Sequence, residues 1–168
     1  MSSRREFFNP VKLAVDIFLD IRKELEVKAR EIAEGKIKKG EVSKENAEEE
    51  IGKIIESDLG PKLRARAREM PELIEDVGLI PALSFCYAKA KGEDYESIAY
   101  GEYLTAILKY IIDKLGLLNI SVEEAKNDPA KTLEELFPLS SVALSLLRPF
   151  LVEFKRLCEA TWRKEVTV

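Results

Sequence analysis

The sequence predicts an all-α fold, a compact single-domain helical bundle of six to eight helices spanning residues 1–168, and three observations carry that reading. Apolar residues recur at steps of three, four and seven along most of the chain. No stretch alternates apolar and polar residues over strand length between turn signals. Helix-starting residues, among them Asn9, Ser43, Asp94 and Ser121, stand just ahead of the apolar runs.

Asn9 caps a first helix beginning at Pro10, where proline's missing N–H costs nothing. Val11, Ala14, Phe18, Ile21, Leu25 and Ile32 make its buried stripe, and Gly35 ends it. A glycine- and lysine-rich loop follows over 36–42. Ser43 opens a strongly acidic second helix to about Glu56, with Ile51, Ile54 and Ile55 as its apolar side. A third helix starts after Asp58 or Gly60. Pro71 and Pro81 punctuate what comes next, and Gly78 resets the chain into an apolar helix ending near Lys91. Glu93 or Asp94 opens a long helix to about Leu117, with Tyr100, Leu104, Ile107, Leu108, Ile111 and Leu115 inward. Short helices start at Ser121 and Pro129. Pro138 introduces the last helix, which runs to roughly Lys164.

Composition removes several function classes. Apolar residues make up 46% and charged residues 35%, the balance of a globular, highly charged chain. No apolar run approaches the ~20 residues that span a bilayer, and no apolar segment backs the basic residues near the N-terminus. The expectation is a cytoplasmic protein with no membrane partner. Cys86 and Cys158 lie in apolar helical segments far apart in sequence, so buried free thiols are expected. Histidine is absent, which removes the commonest general base and transition-metal ligand. Glutamine is absent too, while Lys and Glu abound, a bias associated with thermophiles. No cofactor, metal or catalytic role is expected. Glu48, Glu49 and Glu50 read as a solvated face, no carboxylate pair stands in an apolar setting, and neither a glycine-rich phosphate loop nor a nucleophile elbow is present.

Charge is distributed unevenly. The net charge is −4, but residues 59–92 and 138–168 each carry +2, while 93–137 carry −6. Residues 62–68, KLRARAR, set four cations within seven positions. The helical step pairs Lys62 with Arg66 and Arg64 with Arg68 on different sides. Such a helix either reaches a polyanion or satisfies itself in intramolecular salt bridges. On the last helix, the ~100° step per residue places Lys155, Arg156 and Arg163 within about a quarter turn of Arg148. The apolar arc of Leu144, Leu147, Leu151, Phe154, Cys158 and Trp162 lies to one side. Trp162 reads as a core or interface anchor before a base-stacking platform. Lys89 and Lys91 end a helix, where the dipole favours cations whatever their function. The candidates for RNA contact are therefore Lys62, Arg64, Arg66, Arg68, Lys89, Arg148, Lys155, Arg156 and Arg163, chosen by local charge geometry alone.

In these segments the chain resembles the small subunit of the type III-B CRISPR effector complex, the Cmr family. Gly78, Leu79, Leu83, Phe85, Ala88, Lys89 and Ala90 match that family's apolar helix. Residues 103–118 match its central Tyr/Ile/Leu helix, and 143–154 with Lys155 and Arg156 match its closing helix. The resemblance covers about 65–165 and weakens over 36–57, which reads as a family-atypical insertion. It implies a non-catalytic subunit in antiviral defence, stacked with copies of itself beside other Cmr subunits. The stack would line the groove where CRISPR RNA pairs with target RNA. Two other readings stay open: a helical adaptor that binds proteins only, and the small subunit of another CRISPR effector class.

Overall fold

A computed structural model describes residues 9–166. Those residues hold no strand and form eight α-helical segments: α1 (Pro10–Lys38), α2 (Ala47–Ile54), α3 (Gly60–Val77), α4 (Leu79–Lys89), α5 (Tyr95–Lys109), α6 (Val122–Asn127), α7 (Pro129–Leu136) and α8 (Ser140–Thr161). The all-α class is what the periodicity predicted.

Three starts are capped by the expected side chains. Asn9 Oδ1 accepts from the N–H groups of Val11 and Lys12 at 3.1 and 3.3 Å. Asp94 accepts from Ser97 at 2.7 Å, and Ser121 from Glu124 at 3.1 Å. The helix stops depart from expectation. Gly35 sits inside α1, which continues to Lys38. The ~1 kcal/mol cost of a helical glycine is offset locally by the Lys36–Glu50 ion pair at 2.7 Å, which ties the last turn of α1 to α2. Ser43 makes no side-chain cap, and a short 3₁₀ turn, Lys44–Asn46, precedes α2. Pro71 lies within an unbroken α3, while Pro81 occupies the first turn of α4, where its missing N–H has no intrahelical role. What separates α3 from α4 is Gly78, whose φ of 93° only glycine adopts freely.

α2 and α3 are one helical rod with a π turn, Ile55–Leu59, between them. The Gly60 N–H reaches back to the Ile55 carbonyl, so the widened turn falls just before Pro61, which has no donor of its own. Ile51 and Ile54 are buried, so α2 packs into the bundle, while most of the turn that precedes it is exposed. A second π turn, Tyr110–Lys114, extends α5. A 3₁₀ turn, Phe137–Leu139, joins α7 to α8, which ends at Thr161, three positions short of the sequence expectation.

The core is continuous and aromatic at its centre. Tyr110 stacks on Phe150 at 4.4 Å between centroids, and Phe150, Tyr103 and Phe18 surround Phe154. Phe18 also packs against Trp162 at 5.4 Å, so α1 and α8 close one side of the bundle. Val11, expected in the α1 stripe, is instead exposed, and Ala14, Ile17, Phe18, Ile21, Leu25, Ala29 and Ala33 form the buried face. Cys86 and Cys158 are buried and unpaired, as their apolar surroundings suggested.

One expectation about length is corrected. The helical run Pro129–Thr161 has 33 residues and is long and apolar enough to cross a membrane by length and composition. The run is continuous only because the 3₁₀ turn Phe137–Leu139 joins α7 to α8 without a break. In this fold Ala143, Leu147, Phe150, Leu151, Phe154 and Cys158 on that run face the core.

Candidate nucleic-acid interface

The nine candidate cations do not form one stripe. α3 carries Lys62, Arg64, Arg66 and Arg68, and its inner side sets their fates apart. Arg66 is a correction to the sequence reading: only 8% exposed, it is turned into the structure. Its Nη1 donates to Glu96 at 2.8 Å and to the Tyr100 hydroxyl at 3.0 Å. Its Nη2 lies 3.2 Å from Glu69, and its guanidinium stands 4.9 Å from the Tyr100 ring centre. A cation so surrounded ties α3 to α5 and has no face left for a phosphate.

The other three point toward the C-terminal segment. Lys62 pairs with Glu165 at 2.7 Å, and Arg64 donates to the Trp162 carbonyl at 2.8 Å. Arg64 and Arg68 line a shallow cleft of about 250 Å³ with Lys164, bordered by Glu69 and Glu165. Lys164 was missed in the sequence, because a lysine beyond the last apolar helical residue carries no periodic signal. Arg68 is exposed and has no acidic partner among the described residues.

On α8, Arg148 forms a two-pronged bridge to Glu75 of α3, with Nε–Oε1 at 2.6 Å and Nη2–Oε2 at 3.2 Å. The hydrogen bond and charge of Arg148 hold the Glu75 carboxyl below its usual range. Arg156 pairs with Glu153 one turn earlier at 2.6 Å. Lys155 is half-buried without an acidic partner among the described residues, and Arg163 reaches the Ser57 hydroxyl of the π turn at 3.3 Å. Exposed ion pairs of this kind contribute only ~0–1 kcal/mol. Arg148 and Arg156 can therefore exchange a carboxylate for a phosphate at small cost. Arg66 cannot.

Lys89 lies apart, at the end of α4, with its ammonium 5.5 Å from the Phe85 ring centre. Phe85 is 39% exposed and meets Tyr100 edge-on at 5.6 Å. The exposed aromatic beside cations is thus Phe85, whereas Trp162 is 4% exposed and packed inside. Sequence reasoning missed Phe85 because it sits in an apolar helix where every large side chain looks like core.

The structure also assembles a pair that the sequence concealed. Glu24 of α1 and Glu102 of α5 share a hydrogen bond, with Lys109 3.4 Å from Glu24. Burial, then Glu24, push the Glu102 carboxyl up to about 9, so it carries the shared proton at neutral pH. The two positions meet only when α1 packs on α5, so the sequence does not show the pair; its setting is cationic and partly exposed on the Glu24 side, with Lys109 beside it. Among the described residues no group of His, Cys, Asp and Glu is placed to hold a metal ion.

Comparison with known proteins follows the same helices. The family model described as CRISPR-associated protein (Cas_Cmr5) matches residues 40–142, well over half of the chain. That span runs from the turn before α2 to the first turn of α8. It includes most of the 36–57 segment that the sequence reading had set apart, and it stops before most of the closing helix. A curated relative, the CRISPR system CMR subunit Cmr5 of Saccharolobus solfataricus, is 27% identical over 122 residues, covering 59% of this chain and 78% of its own. No solved structure matches the chain. With its match running through α2 to α7 and the core they build, this chain belongs to the CRISPR-associated Cmr5 family.

Proposed function

We propose that this chain, as a small subunit of a type III-B CRISPR system, stacks with copies of itself beside the other Cmr subunits. In that position it lines the groove in which CRISPR RNA pairs with target RNA. Its role there is to hold geometry, and bond cleavage belongs to other subunits. The observation that carries the RNA part is the cleft where Arg64 and Arg68 of α3 converge with Lys164 of the C-terminal segment. Lys155 and Arg163, with the exposed Arg148 and Arg156, are the further cations of the closing segment, Lys62 is held by Glu165, and Lys89 would contribute separately from the end of α4. Modest local charge on a chain of net charge −4 suits weak contact per copy, made additive by stacking.

The stacking part is supported by apolar residues left on the surface of two neighbouring helices. Val11, Val15 and Leu19 follow one another at four-residue steps on α1. Val142, Leu146 and Val152 do so less regularly on α8. A run of exposed aliphatic side chains along a helix marks an interaction surface.

Salt titration of RNA binding by the assembled subunits tests the reading. Each single-stranded phosphate contact contributes ~0.7 to the slope of log affinity against log salt. Reversing charge at Arg68, Lys155 and Arg163 together is expected to flatten the slope. An unchanged slope overturns RNA contact in favour of an adaptor that binds proteins only. That second reading has its own support, since Lys62, Arg66, Arg148 and Arg156 already pair with carboxylates of this chain.

A further inference from the structure

The chain after Trp162 lies back against the basic helix α3. Trp162 itself is an anchor, 4% exposed and packed on Phe18. Beyond it the backbone forms no helix, and none of Arg163, Lys164, Glu165 and Val166 is buried. Polar contacts, not apolar ones, hold this segment. Lys62 Nζ donates to Glu165 Oε1 at 2.7 Å, Arg64 donates to the Trp162 carbonyl at 2.8 Å, and Arg163 reaches the Ser57 hydroxyl at 3.3 Å.

Glu165 is the one acidic side chain of residues 163–168, and it is spent on the α3 cations. Its Oε1 is on Lys62, and its Oε2 stands 3.9 Å from Arg66. Lys62 and Glu165 are 28% and 29% exposed, so water and salt screen this pair less than the half-exposed Arg148–Glu75 bridge. Arg66 keeps Glu69, Glu96 and Tyr100 whatever Glu165 does. Lys62 has no second hydrogen-bonded partner among the described residues. It acts on Asp94 only through space, and that carboxylate is committed to the cap of α5. Whether Lys62 is available to an outside anion therefore depends on Glu165 alone. The same carboxylate borders the cleft of Arg64, Arg68 and Lys164.

An ammonium group accepts a carboxylate or a phosphodiester oxygen in the same way, through a charge-assisted hydrogen bond. We propose that the segment after Trp162 is an autoinhibitory strap, in which Glu165 occupies Lys62 in place of an RNA phosphate. A strand entering the Arg64–Arg68 cleft displaces Glu165, and Lys62 becomes one more phosphate contact. Trp162, fixed in the core, is the pivot. The proposal rests on the groove reading and adds regulation to it: each copy competes with RNA for its own lysine, which keeps contact weak until several copies share a strand.

The test titrates a mixed-sequence single-stranded RNA into the full chain, followed by amide NMR at several salt concentrations. RNA should move the Arg64 and Arg68 amides and shift the Glu165 amide toward its position in an unfolded chain. Glu165→Gln should bind about fivefold more tightly at ~0.1 M salt, with a slope steeper by ~0.7, the increment for one added single-strand phosphate. Removing any negative charge near RNA raises affinity, so the deciding comparison is Glu165→Gln in a chain that also carries Lys62→Gln. There the gain should vanish, because the two residues act as a pair. An equal gain with and without Lys62, or no gain at all, overturns the strap. Movement of Arg64 and Arg68 in the same titration would still uphold the groove reading. No movement of Arg64 and Arg68 in any of these chains removes the groove reading and the strap together.

Discussion

The indole of Trp162 fills the space that a side chain at Gly60 would need: a Cβ built there falls on Trp162 Cδ1, Cγ and Nε1, far inside contact distance. Gly60 follows the π turn that links α2 to α3, and Trp162 ends α8, so this contact fixes where the rod and the closing helix cross. Gly60→Ala is expected to destabilise the fold by about 1–3 kcal/mol, the usual cost of overpacking, despite alanine's better helix propensity. Chemical denaturation measures it. A smaller residue at Trp162 in the same chain should recover part of the loss, which would identify the clash as the cause.

The shared proton of Glu24 and Glu102 gives stability a pH dependence of defined sign. Unfolded, Glu102 titrates near 4.5, whereas burial and then Glu24 push it up to about 9 in the fold. Between those values the folded state keeps a proton that the unfolded state has released, so stability falls as pH rises across that window. For Glu24, burial alone would raise the carboxyl, but the Glu102 hydrogen bond and Lys109 outweigh it and hold it low. Its contribution is present above the ordinary carboxylate range and lost in acid. Glu102→Gln should therefore flatten the decline in melting temperature from pH 5 to pH 9. Parallel curves for the two proteins would place the proton elsewhere.

Arg66 and Arg68 are neighbours in the same basic run with opposite expected behaviour. Arg66→Met keeps the aliphatic stem but strips Glu69, Glu96 and Tyr100 of their common partner, and should cost about 1–3 kcal/mol. The lower part of that range applies, because Glu69 and Glu96 are themselves more than half exposed. Arg68→Ala should leave the melting temperature unchanged. For RNA affinity the order reverses, with the salt slope sensitive to Arg68 and insensitive to Arg66.

The two thiols should be inert in the native protein. Burial pushes Cys86 up to about 12, with Met70 sulfur 3.9 Å away, and raises Cys158 as well. The thiolate is the reactive form, so a thiol reagent at pH 8 should label neither residue until denaturant is added, after which both react. Rapid labelling of the folded chain would contradict the packing around α4 and α8.

Much of this architecture was legible in the sequence because caps and apolar spacing are local signals. Asn9, Asp94 and Ser121 cap where they should, and the inward residues of α5 were read correctly. The failures share a cause. Gly35 and Pro71 were read as stops, yet each costs only what a few tertiary contacts outweigh, and those contacts come from other helices. The same holds at the candidate interface. Spacing showed that α3 was cationic, but only the neighbouring α5 decides that Arg66 is committed to Glu96 and Tyr100. Phe85, Lys164 and the Glu24–Glu102 pair depend on which surfaces meet, and no single helix records that.

The pairing of α1 with α8 has a consequence for synthesis. The apolar side of α1 is completed by Phe154 and Trp162, which are synthesised long after it. Until then α1 waits with Phe18 uncovered, and the bundle cannot close by accretion from its beginning. Nascent chains stalled anywhere before α8 should be protease-sensitive throughout α1, and emergence of α8 is the step that locks that helix in place.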